Sequence, residues 1–185
     1  FMGFRRENGR VGTRNYIAIV TSVNCSATAA RMIADHFTAA VLSDYPNIDG
    51  VVAFVHGTGC GMADSGDGFE ALQRVMWGYA KHPNHAGVLM VGLGCEMNQI
   101  DWLLEAYGLK QSTTFQTMNI QKVAGLRLSI ELGIKKVTEM LPIANQATRE
   151  ECPASELMVA LQCGGSDAWS GVTANPALGY ACDLL

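Results

Sequence analysis

The chain has 185 residues, of which 49% are hydrophobic and 16% are charged, a composition typical of a globular protein with a sizeable core. Its formal net charge of −4 and the lack of a basic stripe argue against nucleic acid as a partner. No apolar stretch approaches the roughly 20 residues that span a bilayer, and no signal peptide opens the sequence, so we expect a cytoplasmic protein without a membrane partner.

Four short apolar runs predict strands that are buried on both faces of a parallel sheet. They lie at residues 16–20, 51–55, 88–91 and 157–161, and a further strand is expected over residues 113–120. Three of the four runs lead into segments with helical periodicity. Strands that alternate with helices predict an α/β fold with a mostly parallel sheet, flanking helices and Rossmann-like layering.

The predicted helices follow in chain order. In residues 29–41 and 69–79, apolar side chains recur every three or four positions and keep one helix face apolar. A third helix is expected between Asn98, as its N-cap, and Gly108, which is placed to end it. Residues 123–141 carry the longest amphipathic pattern of the chain.

A polar stretch over residues 145–153 is the predicted boundary between two parts of the chain. It follows Pro142, which is expected to disturb the long helix, and it contains no predicted element. We therefore predict an α/β domain with a strand-end site over residues 1–150, and the start of a further α/β subdomain over residues 151–185. Because the sequence stops within a helical pattern, we expect it to be a piece of a longer protein.

Four of the six cysteines, Cys25, Cys60, Cys95 and Cys163, follow the ends of predicted strands. Ligands of open parallel sheets bind at the carboxyl ends of the strands, so we expect these thiols at one edge of the sheet. Soft thiolates suit a metal or iron–sulfur centre. The sequence lacks a C-x-x-C pair, however, and free cysteine also packs as a small hydrophobe at tight turns. Reduced thiols are expected in a cytosolic protein of this kind.

A histidine, a glutamate and an arginine lie next to the ends of the same predicted strands. His56 opens the stretch HGTGCGMADSGDG, in which the glycines are misplaced for a dinucleotide-binding loop and no acidic residue ends the next strand. His56 suits a divalent-metal or sugar-acid site, or a hydrogen-bonded turn. Glu96 lies between a strand end and a helix start, where the helix dipole also favours a carboxylate. Arg14, ahead of the first strand, either clamps a carboxylate with two hydrogen bonds or lies in a solvated turn.

The stretch LQCGGSDAWSGVTANPALG, residues 161–179, places small and polar residues directly after an apolar run. Structurally, this pattern predicts a tight turn from strand to helix, with Asn175 as N-cap and Pro176 as the first helical residue. Functionally, it predicts a site where a ligand approaches the backbone closely, because glycines leave the backbone accessible. Both interpretations stay open at this point.

Four stretches together resemble the altronate and galactarate dehydratase family. In chain order they are GFRRENGRVGTRNYIAIVTSVNCSATAA, HGTGCG, VGLGCEMNQ and LQCGGSDAWSGVTANPALG, and the resemblance extends from Gly3 over almost the whole chain. The altronate branch fits better. The resemblance implies bacterial cytosolic lyases of hexuronate catabolism that remove water from a sugar acid, D-altronate or a galactarate-like acid, and leave a 2-keto-3-deoxy acid. It also implies a divalent metal, iron(II) or manganese(II), and a longer chain with further domains on both sides.

Candidate roles follow from the resemblance and from the chemistry of dehydration. A general base takes the proton alpha to the carboxylate, a divalent cation stabilises the resulting enediolate, and a general acid helps the 3-hydroxyl to leave. The catalytic candidates are His56, Glu96 and Asp167. The metal candidates are His56, Cys60, Glu96, Cys163 and Asp167. The substrate-binding candidates are Arg14, Asn24, Gly164, Gly165, Ser166 and Asn175. The expected partners are a small-molecule sugar acid, the remaining domains of the parent chain and a second copy in a homo-oligomer.

Three alternatives stay open beside the dehydratase. The related sulfolactate sulfo-lyases share the pattern and expel sulfite in place of water. The four strand-end thiols also fit an iron–sulfur or redox module, and the chain alone also fits a non-catalytic piece of an enzyme. One departure bears on specificity: after Ile120-Gln121 the relatives have Gly-Gly-Thr, whereas this chain has Ala124-Gly125-Leu126.

Overall fold

The computed structural model describes residues 1–162, 164–165 and 167–185, so two predicted site residues, Cys163 and Ser166, lie outside the described residues. In chain order, the strands and α-helices are β1 (Met2–Arg5), β2 (Val11–Gly12), β3 (Tyr16–Thr21), α1 (Ala27–His36), β4 (Gly50–Phe54), α2 (Asp67–Ala80), β5 (His85–Gly92), α3 (Ile100–Ala106), β6 (Phe115–Asn119), α4 (Leu126–Ala144), β7 (Glu150–Glu151) and α5 (Asn175–Leu184). No described helix is both long enough and apolar enough to cross a membrane.

The core of the fold is a four-stranded sheet in the order β4-β3-β5-β6, in which every neighbouring pair is parallel. Three of the apolar runs, at 16–20, 51–55 and 88–91, and the further strand predicted at 113–120 are the four strands of this sheet. Connections between parallel strands need a crossover, and helices provide each of them. The predicted α/β class, with a parallel sheet and flanking helices, is therefore confirmed.

Alternation along the central strands divides the core into two layers. In β3, Ile17 and Ile19 pack on the face that α1 and α4 cover, while Ala18 and Val20 pack on the face of α2 and α3. Successive side chains of a strand point to opposite faces, and a sheet covered on both faces therefore needs continuous apolar runs. This requirement explains why the sequence shows runs in place of an alternating polar pattern.

A small antiparallel sheet, in the order β2-β1-β7, was not predicted. Its strands have only two to four residues, too few for a detectable period. It ties the polar stretch 145–153 to the start of the chain, and Arg5 of β1 pairs with Glu150 and Glu156. The stretch predicted to contain no element thus includes a short strand.

Three local predictions were wrong. The run 157–161 forms no strand and is exposed, since no described strand offers it backbone hydrogen bonds or covers its faces. Asn98 does not cap α3; it is fully buried, with its Nδ2 at 2.9 Å from the sulfur of Met76, and Gln99 occupies the N-cap position. Pro142 lies inside α4, near its end, where a missing N–H removes a single helical hydrogen bond.

The prediction for the end of α3 is confirmed, and the prediction for the start of α5 is partly correct. Gly108 follows the C-cap of α3 with a φ of +60°, the left-handed conformation that glycine adopts without strain. Asn175 is the first residue of α5, but a π-helical segment, Ser170–Ala174, precedes it, so Asn175 is not the N-cap. From residue 157 onward nearly every described residue is exposed.

Close packing of α1 against α4 generates the first testable prediction. A Cβ added to Gly133 of α4 would collide with the buried side chain of Ile33 in α1, whereas a Cβ added to Gly78 of α2 would meet no atom. We expect Gly133→Ala to lower the free energy of unfolding by about 1–3 kcal/mol through overpacking. Gly78→Ala should raise it by up to about 1 kcal/mol through helix propensity. Urea denaturation measures both, and equal effects of the two substitutions would contradict this packing.

Candidate functional site

The loops that follow β3, β4 and β5 form a rim at the carboxyl edge of the sheet. Since β3 lies between β4 and β5, its loop lies between theirs. Backbone hydrogen bonds join the loops: Asn24 N donates to Thr58 O at 2.8 Å, and Ser22 N donates to Val91 O at 3.1 Å. This rim is where open α/β sheets bind ligands.

Three of the strand-end cysteines lie on this rim, all of them reduced and exposed: Cys25, Cys60 and Cys95. The Cys25 thiol donates to Asn24 Oδ1 at 3.6 Å, and Cys60 and Cys95 are close enough for their charges to act on Cys25. Partial loss of water around Cys25 raises the pKa of its thiol, and the charges of Cys60 and Cys95 raise this pKa further. The fourth, Cys163, lies outside the described residues.

His56 lies on the same rim and uses both ring nitrogens within the protein. Its Nε2 is 3.0 Å from the carbonyl oxygen of Thr21, and its Nδ1 is 3.3 Å from the backbone nitrogen of Thr58. A backbone N–H can only donate, so Nδ1 is the acceptor and Nε2 carries the proton. The longer of the two contacts, at Nδ1, is the one that a ligand would displace most easily.

Glu96 is 4% exposed and holds the loop after β5. Its Oε1 accepts hydrogen bonds from Ser22 Oγ and from Leu93 N, and its Oε2 accepts one from Gly94 N. Three donors satisfy a buried carboxylate without a metal or a substrate. The arrangement fixes the backbone immediately before Cys95.

All but one of the remaining candidates lie away from the rim. Arg14 precedes β3 at the amino edge of the sheet, about 20 Å of strand away from the rim, and pairs with Asp49 at 3.6 Å. Asp167 is exposed and accepts hydrogen bonds from the backbone nitrogen and hydroxyl of Ser170, which lower the pKa of its carboxyl group. Three further candidates, Gly164, Gly165 and Asn175, lie in the same exposed C-terminal stretch, and Asn24 lies on the rim.

Within the part of the chain that the structure describes, no three His, Cys, Asp or Glu side chains are arranged to hold a single metal ion. The candidate ligands His56 and Glu96 share the rim but are engaged in internal hydrogen bonds, and the described contacts of Asp167 are with Ser170. The described residues therefore do not fit a divalent ion as they stand. The assignment of individual metal ligands stays a prediction.

Two hollows of the described surface do not suit a sugar acid. One, of about 440 Å³, lies at the amino edge, where Arg5 and Arg6 are already committed to carboxylates and carbonyls. Burial lowers the pKa of its neighbour His85 to about 4, so this imidazole is neutral at physiological pH. The other, of about 240 Å³, borders His56 but is lined mainly by apolar side chains such as Phe54 and Met76.

Two residues of the rim were not among the candidates. Ser22 donates to Glu96, and Gln121 donates from Nε2 to the Cys95 sulfur at 3.4 Å. Gln121 follows β6, the strand beside β5, and it lies three residues before the Ala124-Gly125-Leu126 departure. Only the strand order, which sequence patterns do not give, places it beside Cys95.

The buried carboxylate of Glu96 generates the second prediction. Glu96→Gln keeps one acceptor oxygen, and the NH₂ in place of the other would face a backbone N–H that needs an acceptor, so we expect the free energy of unfolding to fall by about 1–3 kcal/mol. Ser22→Ala removes one donor only and leaves the carboxylate two backbone partners, so its loss should be smaller. Thermal and urea unfolding measure both. A Glu96→Gln protein as stable as the wild type would show that Glu96 does not hold this loop.

Comparison with protein families gives two matches along the chain. The family described as D-galactarate dehydratase/altronate hydrolase, second domain, matches residues 3–145. The family described as D-galactarate/altronate dehydratase, C-terminal, matches residues 154–185. The interval between the two matches coincides with the polar stretch 145–153.

Individual relatives agree with these matches. The chain is 41% identical over 191 residues to galactarate dehydratase (L-threo-forming) of Escherichia coli, and 37% identical over 190 residues to altronate dehydratase of Bacillus subtilis. Each alignment covers 100% of the chain and 36% of the relative, so the chain spans about a third of the length of these dehydratases.

A relative of a different name is the (2R)-sulfolactate sulfo-lyase subunit beta of Chromohalobacter salexigens, 30% identical over 193 residues, of which the chain covers 43%. The identities to altronate and galactarate dehydratases are too similar to separate the branches, so the altronate branch stays a prediction. The second-domain family covers most of the chain, as the four quoted stretches predicted. The chain belongs to the D-galactarate dehydratase/altronate hydrolase family.

Proposed function

We propose that the protein carrying this chain is a cytoplasmic hydro-lyase that removes water from a sugar acid, D-altronate or a galactarate-like acid, and leaves a 2-keto-3-deoxy acid. The observation that carries the proposal is identity of 36–41% to dehydratases of both kinds along at least 98% of the chain. The rim geometry supports it, because polar and nucleophilic groups gather at the edge where α/β sheets bind ligands.

His56 is the proposed general base. Dehydration begins with removal of the proton alpha to the substrate carboxylate, and a base needs a lone pair that faces the substrate. The Nδ1 lone pair of His56 is held only by the long contact from Thr58 N, while Nε2–H remains bound to the carbonyl oxygen of Thr21. The bond at Nε2 fixes the tautomer in which Nδ1 is the unprotonated nitrogen, so a substrate proton would take the place of the Thr58 N contact.

Glu96 and Asn24 take supporting roles in this proposal. Glu96 positions the loop after β5 through its three accepted hydrogen bonds, and it is a positioning residue in the described structure. Asn24 is exposed on the loop after β3, where its amide is available to substrate hydroxyl groups. We also propose a divalent ion, iron(II) or manganese(II), as a cofactor of the longer protein.

A second candidate function is a carbon–sulfur lyase, which the sulfo-lyase relative favours. Both reactions begin with loss of a proton alpha to a carboxylate and differ in the group that leaves from the neighbouring carbon. The groups on the rim suit either reaction, so the leaving group must be identified by assay.

The test uses the longer protein with a panel of aldonic and aldaric acids and with sulfolactate. We expect formation of a 2-keto-3-deoxy acid from D-altronate or galactarate, and no release of sulfite.

His56→Gln should lower kcat by about 10²–10⁴-fold, the contribution of general base catalysis. His36→Gln, at an exposed position at the end of α1, is the matched control and should leave the rate unchanged. A His56→Gln enzyme with the wild-type rate would remove His56 from the mechanism, and sulfite release alone would replace the dehydratase by the sulfo-lyase.

A further inference from the structure

We propose that the hollow at the amino edge of the sheet binds a phosphate group, either free inorganic phosphate or the phosphate of a small metabolite. This hollow of about 440 Å³ lies at the edge opposite the rim, about 20 Å of strand away from the loops that carry the proposed dehydration. Binding there is therefore independent of the proposed function.

The lining of the hollow is basic, although the chain as a whole has a net charge of −4. Arg5, Arg6 and Lys81 line it, and among the described lining residues Glu7 is the only carboxylate. Arg10 adds a positive charge beside the hollow, because its Nη1 donates to the carbonyl oxygen of Lys81 at 3.2 Å. A concave surface with an excess of positive charge attracts anions.

The two lining arginines differ in how their charge is balanced. Arg5 forms ion pairs with two glutamates. Arg6 instead donates from Nε to the carbonyl oxygen of Pro83 at 2.7 Å and from Nη1 to the side-chain oxygen of Asn15 at 2.8 Å. Its Nη2 donates to a backbone carbonyl oxygen at 3.1 Å, and no carboxylate among the described residues pairs with it.

A bound anion would supply the charge that Arg6 lacks. The Arg6 side chain is half-buried, and this burial lowers the pKa of its guanidinium group. Burial of a charge is costly unless an opposite charge accompanies it. The uncharged oxygens around Arg6 satisfy its hydrogen bonds in part and leave its charge uncompensated.

Donors remain for such an anion. A guanidinium group has five N–H groups, and the hydrogen bonds of Arg6 to the described residues use three of them. Lys81 is exposed, so its ammonium group can turn toward a ligand. His82 also lines the hollow, and its Nδ1 accepts from the backbone nitrogen of Asn84 at 3.2 Å. The neutral ring of His82 therefore carries its proton on Nε2, which is a further donor.

Contacts within the protein join the two segments that form the site, the turn 6–10 and the turn 81–85. The side-chain oxygen of Asn84 accepts hydrogen bonds from two successive backbone nitrogens after β2, at 2.8 and 3.2 Å. A Cβ added to Gly12 of β2 would collide with the carbonyl oxygen of Pro83, so glycine is needed for this close packing. Such support holds the donors of a binding site in place.

The arrangement of donors favours phosphate over a carboxylate. The donors come from separate side chains on two segments: the Arg6 guanidinium, the Lys81 ammonium and the His82 imidazole. A phosphate group offers three or more acceptor oxygens in different directions and up to two negative charges, whereas a carboxylate offers one plane and one charge. The volume of the hollow also leaves room for an organic group attached to the phosphate.

The experiment is isothermal titration calorimetry of the longer protein with inorganic phosphate, glucose 6-phosphate, glucose and malonate at low ionic strength. We expect one phosphate site per chain, no binding of glucose, and malonate binding weaker by about tenfold or more. Added potassium chloride should weaken phosphate binding, because salt screens partly exposed charges. Tighter binding of glucose 6-phosphate than of inorganic phosphate would indicate a phosphorylated metabolite as the ligand, and the reverse would indicate the free ion.

Substitutions locate the binding in this hollow. Lys81→Gln should weaken phosphate binding by about tenfold or more, the loss of one hydrogen bond between charged groups. Arg10→Gln, beside the hollow, should weaken it by a smaller factor. Lys135→Gln in α4 and Arg31→Gln in α1 are the matched controls at exposed positions outside the hollow, and both should keep the wild-type affinity.

Far-UV circular dichroism shows whether the variants are folded, and Lys81 and Arg10 are both exposed, so we expect each variant to fold. A wild-type protein that binds neither inorganic phosphate nor glucose 6-phosphate would overturn the proposal. Phosphate binding that persists unchanged in Lys81→Gln would do the same, because the site would then lie elsewhere. Malonate binding as tight as that of phosphate would overturn the assignment to phosphate.

Discussion

The parallel pairing of β3 with both β4 and β5 is the constraint on which the rest of the structure depends. It places three strands in one direction, so that the loops after them share one edge of the sheet. Burial of both faces of β3 fixes this register, because a slip by one residue would exchange the two core layers. Every group with a proposed role in the dehydration stands on the loops that this pairing aligns.

The polar contacts of the rim serve to order these loops. Glu96 accepts hydrogen bonds from Ser22 and Gly94, and so connects the loops after β3 and β5. His56 bonds to the carbonyl oxygen of Thr21, and so connects the loop after β4 to the end of β3. A site that presents ligands from several loops needs such support, since a ligand shell without it is loosely placed. The thiols, by contrast, are exposed; Gln121 Nε2 donates to the Cys95 sulfur, and the Cys25 thiol donates to Asn24 Oδ1.

Sequence patterns predicted the elements whose causes are local or periodic. The four core strands and their helices follow from apolar runs and from 3.6-residue periodicity, and Gly108 follows from helix-end chemistry. The short strands β1, β2 and β7 were missed because two to four residues are too few to show a periodic pattern of apolar side chains. Residues 157–161 are apolar, but no described strand pairs with them, so the strand predicted there does not form. Asn98 has the chemistry of a cap but is buried against Met76, a tertiary contact that overrides the local preference. The rim could be predicted because the carboxyl ends of parallel strands share one edge of the sheet. Ser22 and Gln121 could not, because their contacts depend on the strand order, which sequence patterns do not give.

Chemical cross-linking tests the shared rim most directly. A short reagent that joins two thiols, followed by peptide mapping, reports which cysteines of one chain lie close together. We expect an internal link between Cys25 and Cys60, with Cys95 joined to either of them, and no link from these residues to Cys152. Absence of the Cys25–Cys60 link, or a dominant link from either residue to Cys152, would contradict it.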